Sequence, residues 1–142
     1  MSNNKQSSVD KEFVPYTEAL ALKELGFDEL CLGYYTIYSD GEVKFFTSDK
    51  GFRNLEAPTF SQAFRWFREK YWYTALILCD SFQIVMQLST SRTRDSRTWE
   101  WKPIYVTQTY HEEEGLKSYD ESELACLKQL IEIAKEKNNE QQ

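Results

Sequence analysis

Residues 31–47, CLGYYTIYSDGEVKFFT, decide the fold. The run from Cys31 to Tyr38 is β-branched and aromatic, which is the composition of a strand. Asp40-Gly41 then supplies the positive-φ chemistry of a tight hairpin turn, and Val43 to Thr47 return as a second strand. A hairpin fixes antiparallel pairing at this point in the chain. Successive strand residues face opposite sides, so Tyr34, Tyr35, Tyr38, Phe45 and Phe46 cannot share one face. Some of these rings must lie away from any covering helix, which hints at a protein–protein surface or a homodimer.

Upstream, Pro15 to Leu25 reads as a helix. Pro15 suits the first turn, where its missing N–H costs nothing. Ala19, Leu22 and Leu25 recur at three-residue steps with Leu20 alongside, and Gly26 is placed to take the left-handed position that ends a helix. Phe27 follows and closes the hydrophobic contact of that cap.

Downstream, residues 48–57 read as a loop, and the next helix is the clearest element. Thr59 and Gln62 have capping-box spacing. Phe60, Phe64, Phe67 and Tyr71 fall on one helical stripe and read as core, with Arg65 and Glu69 able to pair on the opposite side. Residues 72–79 and 82–89 read as strands around Asp80-Ser81, the second alternating Phe82, Ile84, Met86 and Leu88 with Gln83, Val85 and Gln87. Residues 90–98 read as a polar loop. The fifth strand runs from Trp99 to about Thr109, interrupted by Pro103, which predicts an edge or a bulge there. Such a bulge places Trp99, Trp101, Ile104 and Val106 on one face. A last helix spans Tyr119 to Lys137, with Leu124, Leu127, Ile131 and Ala134 as its stripe and Leu130 beside it.

The predicted order is α-β-β-α-β-β-β-α: an α+β fold with about five strands in a mainly antiparallel sheet covered by three helices. Residues 1–12 and 137–142 are polar and aperiodic and read as disordered tails around a single domain over 13–136. No internal repeat is visible.

The 142 residues carry a net charge of −6, with aromatic residues at 15%. Charge is uneven: residues 44–102 hold ten basic and six acidic groups, and the flanking segments are acidic. A net acidic chain is repelled by nucleic acid and by anionic membrane surfaces, so nucleic-acid binding would have to come from the basic middle. The first residues lack a signal-peptide core, and the longest apolar run, Tyr71 to Cys79, has strand length. A cytoplasmic protein without membrane contact is expected.

One histidine and five glycines exclude two-histidine metal sites and glycine-rich phosphate cradles. Cys31, Cys79 and Cys126 match no zinc or redox spacing and read as buried reduced thiols. His111 with Glu112, Glu113 and Glu114 reads as solvated charge, because consecutive loop residues do not converge on one ion. Glu18 and Glu24 read as solvated helix carboxylates. No catalytic, cofactor-binding or metal-binding residue is assigned, and no enzyme activity or cofactor is expected.

Two surfaces stand out. Arg92, Arg94 and Arg97, followed by Trp99, Trp101 and Lys102, combine phosphate-neutralising and base-stacking groups, the chemistry of single-strand nucleic-acid binding. A solvated hairpin loop beside an ordinary aromatic strand explains the same residues. Trp66 lies about 100° from the aromatic stripe of its helix, at 100° per residue. It is either an exposed anchor for a partner or a ring packed under a neighbouring loop.

Three stretches, FVPYTEALALKELGF (13–27), PTFSQAFRWFREKY (58–71) and ELACLKQLIEI (123–133), resemble a family of small uncharacterised proteins carried by phages and prophage-like elements of gut Bacteroides-type bacteria. The resemblance implies a mobile-element protein acting inside a bacterial cell, and it carries no site residues. The expected function is an accessory role through protein–protein binding without catalysis. The alternative is single-stranded nucleic-acid binding through residues 92–102.

Overall fold

The computed structural model describes residues 10–94, 99–111 and 118–140, with side chains described over 10–86 and 118–140. A 3-10 turn at Asp10–Glu12 precedes α1 (Tyr16–Glu24), β1 (Gly33–Ile37), β2 (Val43–Phe46), β3 (Leu55–Ala57), α2 (Phe60–Tyr71), β4 (Tyr73–Ile77), β5 (Ser81–Arg94), β6 (Trp99–His111) and α3 (Tyr119–Glu140). The fold is α+β, with three α-helices and antiparallel sheets among the described residues. The strands do not form the single sheet the sequence predicts. They form two three-stranded sheets, β2-β1-β3 and β4-β5-β6. The additional strand, β3, lies inside the segment read as a loop. α3 continues to Glu140, past the Lys137 at which the sequence places a tail. The chain divides into two compact units, residues 1–66 with 127–142, and residues 67–126.

In the first unit, α1 ends as its sequence dictates. Gly26 has φ 106°, its N–H donates to Lys23 O at 3.0 Å, and the Phe27 N–H donates to Leu22 O at 2.9 Å. These are the two bonds of a Schellman cap, and they satisfy carbonyls the helix leaves open. Phe27 and Leu22 are both buried. Leu20 is exposed, so the apolar stripe of α1 is narrower than the spacing suggests.

β1 pairs with β2 and β3, with Tyr34 opposite Phe46 and Glu56, and Tyr35 opposite Phe45 and Leu55. The turn at Gly41 (φ 90°) is closed by Glu42 N–H donating to Asp40 Oδ1 at 3.0 Å. Of the five hairpin rings Tyr38 is exposed, while Tyr34, Tyr35, Phe45 and Phe46 are taken up in internal contacts. On one face Phe45 meets Phe13 at 4.9 Å and Tyr35 at 5.4 Å, while Tyr16 stands edge-on to Tyr35 at 5.6 Å. Gly33 is required here, because a Cβ would fall 2.6 Å from the Phe45 ring. The Tyr35 hydroxyl donates to Val14 O at 2.7 Å, which ties the N-terminal segment to the sheet. That segment also bridges Phe13 to Thr59, with Val14 N–H donating to Pro58 O at 2.8 Å.

On the other face Tyr34 stacks on Phe46 at 5.8 Å. Its hydroxyl bonds the Ser48 and Gly51 carbonyls and accepts from Gly51 N–H at 2.9 Å, while Thr36 Oγ1 donates to Phe52 O at 2.7 Å. The 48–52 segment is thereby strapped across this face, so the rings are covered by chain rather than by a helix.

α2 opens with Gln62 N–H donating to Thr59 Oγ1 at 3.1 Å, as the capping spacing predicts. The Gln62 side chain does not complete the box. It reaches Glu29 Oε1 and Leu30 O at 3.3 Å each. Arg65 pairs with Glu29 at 3.4 Å rather than with Glu69. Phe60, Phe64, Phe67 and Tyr71 are all buried, as the stripe requires. In α3 Leu127, Leu130, Ile131 and Ala134 are buried, while Leu124, the first residue of the predicted stripe, is half-buried.

In the second unit, β4 and β5 pair as a hairpin, with Tyr73 opposite Met86, Ala75 opposite Ile84 and Ile77 opposite Phe82. Tyr73, Phe82, Ile84 and Met86 are buried. Tyr71 stacks on Tyr73 at 5.5 Å and 18°. β5 then continues through Arg94, so residues 90–94 are strand rather than loop. The register shift lies in β5, between Gln87 and Ser89, and not at Pro103. The expected grouping of Trp99, Trp101, Ile104 and Val106 on one face lies outside the described side chains. Pro103 is tolerated because β6 is an edge strand.

Two substitutions test this frame in urea unfolding. Gly26→Ala forces a Cβ into the left-handed region and is expected to cost about 1–2 kcal/mol. Tyr34→Phe strands the carbonyls of the 48–51 segment and is expected to cost about 1–3 kcal/mol. A loss under about 0.5 kcal/mol in either variant contradicts the role given to that residue.

Candidate functional site

Trp66 is not an exposed anchor. It is 6% exposed, and its ring stands edge-on to Phe27 at 5.6 Å. The Gly26 cap returns Phe27 against α2, and this tertiary contact buries a position that helical periodicity alone leaves off the stripe. The backbone of Arg92, Arg94, Trp99 and Trp101 lies in the β5–β6 ladder, with Arg92 opposite Trp101 and Arg94 opposite Trp99. Arg97 lies outside the described residues. So do Glu112, Glu113 and Glu114, while His111 ends β6 opposite Ser81. Among the described residues no group of three or more acids, cysteines or histidines is placed to hold a metal ion.

Glu18, expected to be solvated, is 8% exposed and pairs with Lys128 Nζ at 3.7 Å. Burial pushes the Tyr35 phenol up to about 12, with the Glu18 and Asp10 carboxylates adding to the shift. A buried carboxylate next to a phenol resembles an acid–base pair. Here the pair faces packed rings and the ammonium of Lys128, and the phenol already donates to Val14 O.

The thiols divide. Cys31 and Cys126 are buried and Cys79 is exposed, against the expectation of three buried thiols. Cys79 sits beyond the last ladder residue of β4, where the chain turns toward β5. Burial pushes Cys31 up to about 12, with Glu56 and Glu29 reinforcing it. Cys126 is likewise pushed up to about 12, by burial and then by Glu123. A thiol held this far from its thiolate is a poor nucleophile.

One cleft in the first unit, of about 360 Å³, brings Lys23, Asp28, Arg53, Asn54 and Glu56 together beside Phe27. Its central cation is already engaged. Arg53 Nη2 donates to Cys31 O at 2.6 Å, its Nε lies 3.3 Å from Glu56 Oε2, and its guanidinium covers the Tyr34 ring at 4.6 Å. Glu56 Oε1 in turn accepts from Cys31 N–H at 2.8 Å. This network fastens the 29–32 segment to β3 and commits Arg53 and Glu56 to partners within the fold.

What stays open is apolar. In the first unit Leu30, Leu32 and Phe52 are each more than three-quarters exposed. In the second unit Trp72 is 63% exposed, and Leu76 and Leu78 are exposed beside it in sequence. Trp72 is also the one described non-glycine residue at positive φ, 64°. It occupies after α2 the position Gly26 occupies after α1, and its N–H donates to Arg68 O at 3.2 Å. A bulky aromatic residue in that region costs about 1–2 kcal/mol relative to glycine. The strain aims a large ring outward from the start of β4. The sequence signal for this is the uncharged run from Tyr71 to Cys79, in which no glycine stands ready to end the helix.

Two measurements check these assignments. Trp72→Gly is expected to raise the unfolding free energy by up to about 1 kcal/mol, since it relieves a left-handed side chain; a loss of stability contradicts the strain. Cys31, Cys126 and Tyr35 are held neutral by the fold, so the unfolded chain releases their protons first. Their contribution is complete below pH 9, where the unfolded thiols begin to ionise, and is lost as pH rises toward 12. The urea midpoint should therefore fall over that window, and a flat midpoint contradicts it.

Comparison with protein-family profiles, with curated proteins and with solved structures finds no match to this chain.

Proposed function

We propose that this chain is a small accessory protein of a phage or mobile element that works by binding another polypeptide, without catalysis. The observation that carries the reading is Trp72, a strained and 63% exposed indole beside exposed Leu76 and Leu78. Strained, exposed aromatic positions are retained where the surrounding structure holds them for contact, and tryptophan is enriched among binding anchors. The chemistry of the interior supports the same reading. Both buried thiols are far from their thiolates, and the Arg53–Glu56–Cys31 network is closed on itself. No described helix is long and apolar enough to cross a membrane.

A photo-crosslinking residue at position 72, introduced in cells, tests the reading. Covalent adducts of discrete mass, reduced by Leu76→Lys, are expected. Absence of any adduct contradicts a binding role for this surface.

A second reading rests on the β5–β6 register. Arg92 opposite Trp101 and Arg94 opposite Trp99 set basic and aromatic positions directly across one ladder, and this arrangement favours binding to single-stranded nucleic acid. Fluorescence anisotropy with a labelled oligonucleotide should then show affinity that falls steeply with salt and is lost in an Arg92→Ala/Arg94→Ala variant. No binding at low salt ends this reading.

A further inference from the structure

In the first unit a groove of about 440 Å³ runs between α1 and the C-terminal part of α3. Glu18 and Ala21 line it from α1. Lys128, Ile131, Glu132 and Lys135 line it from α3, and their spacing places them on one helical stripe. Four ionisable side chains therefore meet over a floor made by Ala21 and the buried Ile131.

Three of the four reach water. The side chains of Lys128, Glu132 and Lys135 are 59%, 63% and 42% exposed, whereas that of Glu18 is 10% exposed. Glu18 nevertheless accepts no hydrogen bond among the described residues. Its one ion pair, to Lys128 Nζ, spans 3.7 Å, longer than the roughly 2.7–3.2 Å of an N–H···O bond. The neighbouring Tyr35 hydroxyl supplies no donor either, because it donates to Val14 O. A withdrawn carboxylate offsets its lost hydration only when donors fill its lone pairs. Glu18 thus keeps acceptor capacity unspent at the wall of a cavity.

We infer that this groove binds a small zwitterion, a free α-amino acid with an aliphatic side chain. Its ammonium would donate to Glu18, its carboxylate would accept from Lys128, and its side chain would lie on Ala21 and Ile131. Three observations select this chemistry. The groove is more than ten times the roughly 30 Å³ share of one water, and an apolar floor with a few polar groups in this size range is the form of a small-molecule site. No described group of three or more acids, cysteines or histidines converges on a metal ion. Charge then decides among organic ligands. A simple cation at Glu18 meets the ammonium of Lys128, and a simple anion at Lys128 meets the carboxylate of Glu18. A ligand carrying both charges, joined through one carbon, matches opposite charges held 3.7 Å apart. Each contact is then a charge-assisted hydrogen bond. The inference goes beyond the binding reading above and does not rest on it, since that reading stands on Trp72 in the second unit.

Titration of the full-length chain with L-leucine, followed by NMR at the labelled Ile131 methyls, tests the site. A saturable shift with a Kd of about 1 mM is expected. Two analogues separate the charges: 3-methylbutylamine lacks the carboxylate and 4-methylpentanoate lacks the ammonium. Each should bind at least about tenfold more weakly than leucine. Glu18→Gln should weaken leucine by a similar factor with an unchanged far-UV spectrum. If that variant fails to fold, Ala21→Leu decides, because it fills the groove and leaves Glu18 in place. No saturation by about 20 mM leucine overturns the inference, as does equal binding of either analogue or full binding in the variant that decides.

Discussion

Two consecutive tyrosines hold the first unit together. In a pleated strand Tyr34 and Tyr35 must face opposite sides, so each needs its own cover and its own hydrogen-bond partner. Tyr34 takes both from the 48–52 segment, through the Ser48 and Gly51 backbone and the Phe46 ring. Tyr35 takes both from the N-terminal segment, through Val14 O and the Tyr16 and Phe45 rings. A sheet with one layer of strands is thus covered on both faces by short pieces of chain. The Arg53–Cys31 bond, the Phe13–Thr59 bridge and the route of the chain into α2 all depend on those two straps.

That arrangement relocates the working surface. A high aromatic content suggests rings to spare, and the hairpin is where the sequence concentrates them. Four of the five hairpin rings are nevertheless spent on internal cover, and Tyr38, just past β1, stays exposed. Among the exposed rings, which include Phe52, one stands at the end of α2, held at positive φ where glycine would be the unstrained choice. Strain at Trp72, exposure at Leu76 and Leu78, and an edge without charge all fall within eight residues of chain, from Trp72 to Cys79. The first unit shows the opposite economy: its exposed leucines, Leu30 and Leu32, flank a segment whose backbone is tied down by Arg53, Glu56 and Gln62.

Local rules made much of this legible. Gly26 ends α1 because only a left-handed residue closes the Schellman bonds, and Thr59 caps α2 because its hydroxyl reaches the Gln62 N–H. The Phe60–Tyr71 stripe is buried because helical spacing leaves it one face. What escaped is tertiary or too short to have a period. β3 is three residues, below the length at which alternation can be read. Trp66 is buried by Phe27, a contact set by how the α1 cap returns the chain. Glu18 is buried beside Lys128, across more than one hundred residues of sequence. Residues 90–94 are strand although they are polar, because their backbone pairs with β6, a partner that local sequence does not reveal.

The central claim is that Tyr34 and Tyr35 each hold a separate strap on the first unit. Amide hydrogen exchange followed by NMR reads the two straps individually. The account predicts that Tyr34→Phe speeds exchange at the Gly51 amide, which donates to the Tyr34 hydroxyl, and leaves the Val14 amide, which donates to Pro58 O, protected. Unchanged exchange at Gly51 would contradict it.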